Sequence, residues 1–171
     1  MLLTNAGIAF KQESVDFDED SIIASSPKNF VYQATIGKYN ANLAAFGVED
    51  LPLLVADTVV TSQGQILRKA KCVDDARNIL YTQSGNITSI ITCMIYQSKE
   101  KKVIDISQTD YIFTKFDEED LERYLESGEW RGKAGACMVE GFCKPYIKEV
   151  KGHESTAMGL SVEVLQRFME K

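Results

Sequence analysis

The chain has 171 residues, a formal net charge of −6, an apolar fraction of 44% and a charged fraction of 26%. These values are typical of a soluble globular protein with a substantial core, folded as one domain or as two small lobes. The acidic balance argues against a surface that binds a nucleic-acid polymer or an anionic membrane, although local lysines can still hold a phosphorylated ligand.

The cysteine and histidine content does not favour a zinc site. There are four cysteines (Cys72, Cys93, Cys137 and Cys143) and one histidine, and no CxxC pair exists among them. We expect reduced thiols that pack as small apolar residues, and a cytoplasmic protein. No apolar run approaches the ~18 residues of a membrane span, and we expect no signal peptide.

The first third of the sequence predicts a strand, a helix and a second strand. Residues Glu13–Phe17 alternate in polarity as a strand does and lead into an acidic run. A helix is predicted to begin at Ser26-Pro27, with serine as the cap and proline at the first position, and to end at Gly47. The apolar run Leu53–Ala56 then predicts a buried strand that ends on a carboxylate, Asp57.

The rest of the chain continues in mixed order. The middle predicts a turn at Gln63-Gly64, a helix that stops before Gly85, and strands Ile87–Tyr96 and Val103–Phe116 with the charged tip Lys99–Lys102 between them. The last part predicts a helix from the acidic run 117–120 to Gly128, strands Cys137–Glu140 and Tyr146–Val150, and a helix Ser161–Met169. This order indicates an α/β protein with a central sheet and helices on its faces.

Five charged residues are candidates for chemistry. Ligands of open α/β sheets lie beyond the carboxyl ends of strands, where Asp57 is predicted to be, and a carboxylate there can hold a divalent cation or accept a proton from water. Taken alone, a strand-ending aspartate is more often a turn or cap residue. Glu19 also follows a predicted strand, and two carboxylates together would make a magnesium-type site. Lys38, Lys69 and Lys133 are candidates to hold phosphates, although a single lysine is usually solvated.

The segment Ala56-Asp57-Thr58-Val59-Val60, followed by Gly64-Gln65-Ile66-Leu67-Arg68-Lys69, resembles the ADTVV…G-x-ILGK block of the Maf nucleotide pyrophosphatases. Further matches follow in order along nearly the whole chain: Asp18-Glu19, Phe30-Val31 with Lys38, Asp75-Ala76, Ser84-Gly85, Gly132-Lys133-Ala134-Gly135, Glu140-Gly141 and Met158-Gly159-Leu160. The agreement in order and spacing makes the resemblance specific.

The resemblance implies a fold similar to the Maf and inosine-triphosphate pyrophosphatase group: a mixed sheet with flanking helices, two lobes and a central cleft, in a single domain over residues 1–171. It implies that a nucleoside triphosphate is hydrolysed to the monophosphate and diphosphate with a divalent cation, Mg²⁺ or Mn²⁺. We expect a non-standard or pyrimidine nucleotide as substrate. The resemblance also allows a homodimer.

The same resemblance implies roles for individual residues. Asp57 matches the family's proton acceptor and a metal ligand, and Glu19 matches its acidic metal-site residue. Lys38, Lys69 and Lys133 match lysines near the phosphates. Among the substrate-binding residues, Thr58 resembles the branch that acts on thymidine and uridine triphosphates, whereas Glu140 resembles the branch that acts on 7-methylguanosine triphosphate. The preferred base therefore stays open.

The sequence also departs from the family pattern. The family's first strand and S-x-SPRR loop, whose arginines bind phosphate, have no counterpart here, since Met1-Leu2-Leu3 aligns with the helix after that loop. The family's GKP reads Arg68-Lys69-Ala70. We therefore expect a weakened catalyst. The alternative is a non-catalytic nucleotide-binding regulator of cell division, in keeping with the family's association with septum formation.

Overall fold

The computed structural model describes residues 2–169, except for the side chain of Asp20. Helices and strands follow one another along this part of the chain in mixed order: α1 (Leu2–Asn5), α2 (Pro27–Phe46), β1 (Leu53–Ser62), β2 (Gln65–Ile66), α3 (Val73–Gln83), β3 (Ile87–Gln97), β4 (Lys102–Phe113), α4 (Glu118–Ser127), β5 (Ile147–Lys151), α5 (Glu154–Ala157) and α6 (Val162–Met169). Two short 3₁₀ turns, Glu19–Ser21 and Lys144–Tyr146, complete the order.

The five strands form one sheet in the order β2-β1-β3-β4-β5. Strands β1 and β2 pair antiparallel, as do β4 and β5. The turn between β1 and β2 has φ angles of 51° at Gln63 and 76° at Gly64, a left-handed conformation that glycine adopts without strain. The sheet and its helices confirm the predicted mixed α/β fold class.

Local chemistry sets the helix boundaries where they were predicted. Ser26 Oγ accepts a hydrogen bond from the Asn29 backbone N–H at 3.2 Å, with proline at the first position of α2. Asp117 caps α4 by accepting from two backbone N–H groups at 3.0 and 3.1 Å, and Gly128 ends that helix. Each such N-cap contributes roughly 1 kcal/mol of helix stability.

Three predicted elements are wrong. Glu13–Phe17 is neither helix nor strand in the described structure, since its largest apolar side chain packs on helix α2 instead of joining the sheet. The strand that begins at Leu53 does not end at Asp57 but continues to Ser62, and its first residues are half-buried. The segment Cys137–Glu140 forms turns rather than a strand.

The chain divides into two compact units. Unit 1 comprises Met1–Thr58, Ile91–Gln108 and His153–Lys171, and unit 2 comprises Val59–Ile90 and Thr109–Gly152. The core of unit 1 joins β3 to α6 through Met94, Tyr96, Leu160, Val162 and Leu165. Unit 2 packs α3 against α4, with Ala76, Leu80, Leu121 and Leu125 buried. A single domain over the whole chain stays a prediction.

Two general features concern the described part of the chain. Between residues 2 and 169, no helix is both long enough and apolar enough to cross a membrane. In the same residues, every buried side-chain nitrogen or oxygen has a hydrogen-bond partner. The buried polar side-chain groups of these residues are therefore all satisfied within the fold.

Candidate active site

Three charged side chains from distant parts of the sequence meet in unit 1. The Lys38 ammonium, on α2, lies 2.6 Å from Glu19 Oε1 and 3.0 Å from Asp57 Oδ2. Asp57 lies inside β1, and Glu19 lies in the 3₁₀ turn ahead of α2. The prediction that each of them follows the end of a strand is therefore wrong. We call these three residues the acid–lysine cluster.

The cluster is held by charge in a partly buried setting. The exposed fraction is 25% for the Lys38 side chain, 41% for Glu19 and 17% for Asp57. Burial alone would lower the pKa of the Lys38 ammonium, but its hydrogen bonds to Glu19 and Asp57 outweigh burial and raise the pKa above its usual value. Lys38 is therefore a permanent positive charge at neutral pH, and two carboxylates around one ammonium attract a further cation.

Asp57 is fixed on both of its oxygens. Oδ2 accepts from the Lys38 ammonium, and Oδ1 accepts from the Thr58 backbone N–H at 3.0 Å. Each carboxylate oxygen has a second acceptor position. The side chain is thus oriented within β1 and still able to accept a proton or to bind a cation.

Glu19 reaches the cluster because of a contact that the sequence did not reveal. The Phe17 ring lies directly over Gly37, so that a Cβ at position 37 would overlap the ring. Gly37 precedes Lys38 on α2, and Phe17 lies two residues before Glu19. The absence of a side chain at Gly37 therefore lets the segment before α2 lie close to the helix beside Lys38. A glycine in the interior of a predicted helix was the available signal, since glycine there is unfavourable unless close approach requires it.

The two carboxylates of the acid–lysine cluster are donors of the kind that a hard divalent cation takes. Among the described residues, no group of three or more His, Cys, Asp and Glu side chains could hold a metal ion. Glu19 and Asp57 offer two carboxylates, and Mg²⁺ is typically bound by one or two carboxylates together with substrate phosphates and water. These two residues would hold such a cation.

Thr58 does not belong to the acid–lysine cluster. It follows Asp57 in β1, and successive side chains of a strand point to opposite faces. Its Oγ1 lies 2.8 Å from Thr92 Oγ1 on β3, and Thr58 is half-buried. Asp57 and Thr58, neighbours in one motif, are therefore partnered on different faces of β1.

Lys69 and Lys133 lie in unit 2, on two backbone segments that pair with each other. Lys69 forms an isolated antiparallel bridge with Ala134, the residue after Lys133. The Gly135 N–H donates to Leu67 O at 3.1 Å. Lys69 is exposed and Lys133 is half-buried, so both ammonium groups are available to an anion.

Glu140 lies in a loop closed by a disulfide. Cys137 and Cys143 are bonded, whereas Cys72 and Cys93 are free thiols. The prediction of four reduced cysteines is therefore wrong for this pair. Glu140 is exposed in a turn between the two cysteines. We call residues 137–143 the disulfide loop.

Aromatic packing anchors one side of the disulfide loop. Phe142 stacks on Tyr124 with ring centroids 4.5 Å apart and meets the edge of Phe116 at 5.2 Å. The Tyr124 hydroxyl donates to Ala136 O at 2.9 Å, and burial raises the pKa of Tyr124 to about 12. The loop is thus fixed at its cysteines and at Phe142, while Glu140 stays accessible.

Comparison with known proteins identifies the family of this chain. The model of the Maf family, described as Maf-like protein, matches residues 1–171. A nucleoside triphosphate pyrophosphatase of a Nitratiruptor species is 58% identical over 166 residues, which cover 96% of this chain and 89% of that protein. Proteins of the same name are 37% identical in Helicobacter pylori, over 96% of this chain and 86% of that one, and 35% identical in Campylobacter jejuni, over 98% and 93%. With a family match over its whole length and such relatives, the chain belongs to the Maf family.

Proposed function

We propose that this protein hydrolyses a nucleoside triphosphate to the nucleoside monophosphate and diphosphate, with Mg²⁺ or Mn²⁺ as cofactor. The acid–lysine cluster carries the proposal, because it holds two carboxylates at one ammonium in a partly buried place. Membership of the Maf family and the name nucleoside triphosphate pyrophosphatase of the relatives support the same reaction.

In the proposed reaction, a water oxygen bonds to the α phosphorus, and the anhydride bond between the α and β phosphates breaks. Diphosphate leaves with the electron pair of that bond. Asp57 accepts the proton of the attacking water. The divalent cation, when bound, neutralises charge on the phosphate oxygens.

The three lysines have two roles in this proposal, positioning of the carboxylates and binding of phosphate. Lys38 keeps Asp57 and Glu19 facing each other through its two ion pairs. Lys69 and Lys133 hold phosphate oxygens as point charges. Phosphoryl chemistry chiefly requires positioning and charge neutralisation, and these side chains contribute to both.

A pyrimidine or non-standard nucleotide is the proposed substrate, with Thr58 and Glu140 as the residues that contact its base. The Glu140 side chain is exposed. A solvated carboxylate discriminates less than a buried one, since water can satisfy it when the base does not. Thr58, which is half-buried, is therefore the stronger candidate of the two.

Release of diphosphate from a panel of triphosphates tests the proposal. The panel contains uridine, thymidine, cytidine, guanosine, inosine and 7-methylguanosine triphosphates, each with Mg²⁺, with Mn²⁺ and with chelator. Metal-dependent release of diphosphate from at least one of them is expected. Nucleotide binding with no release of diphosphate would instead favour the regulator of septum formation.

Two accompanying predictions concern the protein in the cell. We propose a cytoplasmic location, where nucleoside triphosphates are available, although a disulfide between Cys137 and Cys143 is more usual in oxidising compartments. Cell fractionation with alkylation of free thiols before lysis would decide between a cytoplasmic reduced form and an exported oxidised form. Sedimentation would test the expected homodimer.

A further inference from the structure

We propose that Thr92 is a specificity-positioning residue: it turns the hydroxyl proton of Thr58 inward, so that Thr58 meets the substrate only as a hydrogen-bond acceptor. The proposal rests on the proposed function, in which Thr58 contacts the base. It specifies that Thr58 accepts a hydrogen bond in that contact. It also assigns a role to Thr92, which sets this direction without touching the substrate.

Three residues of unit 1 form the underlying chain of hydrogen bonds. Thr58 Oγ1, on β1, lies 2.8 Å from Thr92 Oγ1, on β3. Thr92 Oγ1 donates in turn to the backbone carbonyl of Thr156, on α5, at 2.7 Å. Thr92 is fully buried and Thr156 is 1% exposed, so water cannot replace either partner.

Counting protons along this chain fixes its direction. A threonine hydroxyl has one proton, and a carbonyl oxygen can only accept. The proton of Thr92 must therefore point to Thr156 O, because two acceptors 2.7 Å apart would repel each other. The proton between Thr58 and Thr92 must then belong to Thr58. Thr58 donates inward and has only lone pairs left for any other neighbour.

A glycine is the neighbour of Thr58 on one side. A Cβ at Gly159 would lie 3.6 Å from Thr58 Oγ1, so the Thr58 hydroxyl has no side chain from position 159 against it. An acceptor in such a place favours a base edge that presents an N–H over one that presents a lone pair, since the mismatch leaves two acceptors facing each other.

Uracil and cytosine differ in this property at ring position 3, which is the position that Thr58 contacts in this proposal. N3 of uracil carries a proton, whereas N3 of cytosine is an acceptor and its N–H groups are on the exocyclic N4 instead. We therefore expect kcat/KM to be higher for uridine triphosphate than for cytidine triphosphate. In Thr92→Val, the buried acceptor for the Thr58 proton is lost, so the Thr58 hydroxyl can turn outward and donate. The ratio of kcat/KM for uridine triphosphate to that for cytidine triphosphate should therefore fall by roughly tenfold. Thr92→Ser keeps the hydroxyl and should retain the wild-type ratio.

The experiment measures kcat/KM for both nucleotides in wild type, Thr92→Val and Thr92→Ser, with melting temperatures alongside. Thr92→Val also leaves Thr156 O without its donor, so the melting temperature of this variant should fall. A purely structural role of Thr92 would not change the ratio of the two kcat/KM values, and this ratio is therefore the decisive measurement. An unchanged ratio in folded Thr92→Val overturns the proposal, as does a wild-type preference for cytidine triphosphate.

A second variant covers the case in which Thr92→Val does not fold. Thr58→Val removes the acceptor itself and should lower kcat/KM more for uridine than for cytidine triphosphate; the opposite order would mean that Thr58 donates, and would overturn the proposal. If the wild-type protein hydrolyses neither nucleotide, the proposed function fails. Dissociation constants of non-hydrolysable uridine and cytidine analogues for the same variants then test the role of Thr92 separately.

Discussion

The acid–lysine cluster of unit 1 and the disulfide loop of unit 2 hold their functional candidates in opposite ways. In the cluster, residues far apart in sequence (Glu19, Lys38 and Asp57) meet through ion pairs of 2.6 and 3.0 Å. In the loop, Glu140 is confined by a bond between two cysteines six positions apart, and its own side chain is exposed.

The difference leads to a prediction of which region carries the chemistry. Charges that are gathered from distant segments and partly buried interact more strongly than solvated ones, because water screens them less. A short covalent loop fixes the backbone but leaves an exposed side chain free to adapt. We therefore expect changes in the cluster to affect turnover, and changes in the loop to affect substrate affinity.

The largest effect should come from Asp57→Asn. The amide keeps the shape of the side chain but loses the negative charge and the ability to accept a proton, so hydrolysis should fall by at least ~10²-fold. Diphosphate release and circular dichroism measure the change. Asp105→Asn, also on a strand of unit 1, is the matched control and should stay active. An Asp57→Asn protein with near-wild-type turnover would remove Asp57 from the chemistry.

A smaller but diagnostic effect is expected from Gly37→Ala. Alanine in a helix interior normally stabilises relative to glycine by up to ~1 kcal/mol, but here its Cβ would overlap the Phe17 ring. Displacement of Phe17 should carry Glu19 away from Lys38, so we expect roughly tenfold weaker Mn²⁺ binding by calorimetry, from the loss of one of two carboxylates.

A compensating change separates this contact from general damage to the helix. In Phe17→Ala/Gly37→Ala, the ring is absent and the overlap is relieved. The double variant should therefore lose no more Mn²⁺ affinity than Phe17→Ala alone. A double variant whose loss of affinity equals the sum of the two single losses would show that Gly37 acts independently of Phe17. A gain in stability in Gly37→Ala with unchanged Mn²⁺ binding would contradict the predicted role altogether.

The parts of the fold that could be predicted from sequence are those set by neighbouring residues. Ser26, Pro27 and Gly47 delimit α2 because caps act within one turn of the helix. Asp57 was identified by its motif, yet the end of its strand was misplaced. A charge in mid-strand is tolerated here because Lys38, nineteen positions away in sequence, neutralises it.

What could not be predicted depends on contacts between distant segments. The packing of Phe17 on Gly37 takes the segment before α2 out of the sheet, which overrides its strand-like alternation. The hydrogen bond between Thr58 and Thr92 needs two strands in register, and no local pattern contains that register. The bond between Cys137 and Cys143 needs the turn that brings them together, and composition alone favoured free thiols.

Opening the disulfide should have a moderate effect. For so short a loop, the loss of the cross-link in Cys137→Ser/Cys143→Ser should destabilise by about 2 kcal/mol through greater freedom of the unfolded chain. We expect KM to rise a few-fold while kcat stays near wild type, because Phe142 still anchors one side of the loop. Cys72→Ser, which replaces an exposed free thiol, is the control. A fall in kcat with unchanged KM would reverse the division of roles between the two regions.

The smallest effect concerns the pH dependence of stability through Lys38. Its pKa is raised in the folded protein above the ordinary value of 10.5, because its hydrogen bonds to Glu19 and Asp57 outweigh burial. A raised pKa means that the ammonium stabilises the fold fully below pH 10.5 and that this contribution is lost as the pH rises through the folded value.

Lys38→Gln should therefore be less stable than wild type by about 1 kcal/mol at pH 7 and at pH 9, with the gap closing only above pH 10.5. Urea unfolding at several pH values measures it. Lys99→Gln breaks a much more exposed ion pair with Glu49 and should cost less than about 0.5 kcal/mol. A gap that already closes between pH 7 and 9 would mean that the two carboxylates do not hold the Lys38 ammonium. The acid–lysine cluster would then be no more tightly held than the exposed Glu140 of the disulfide loop.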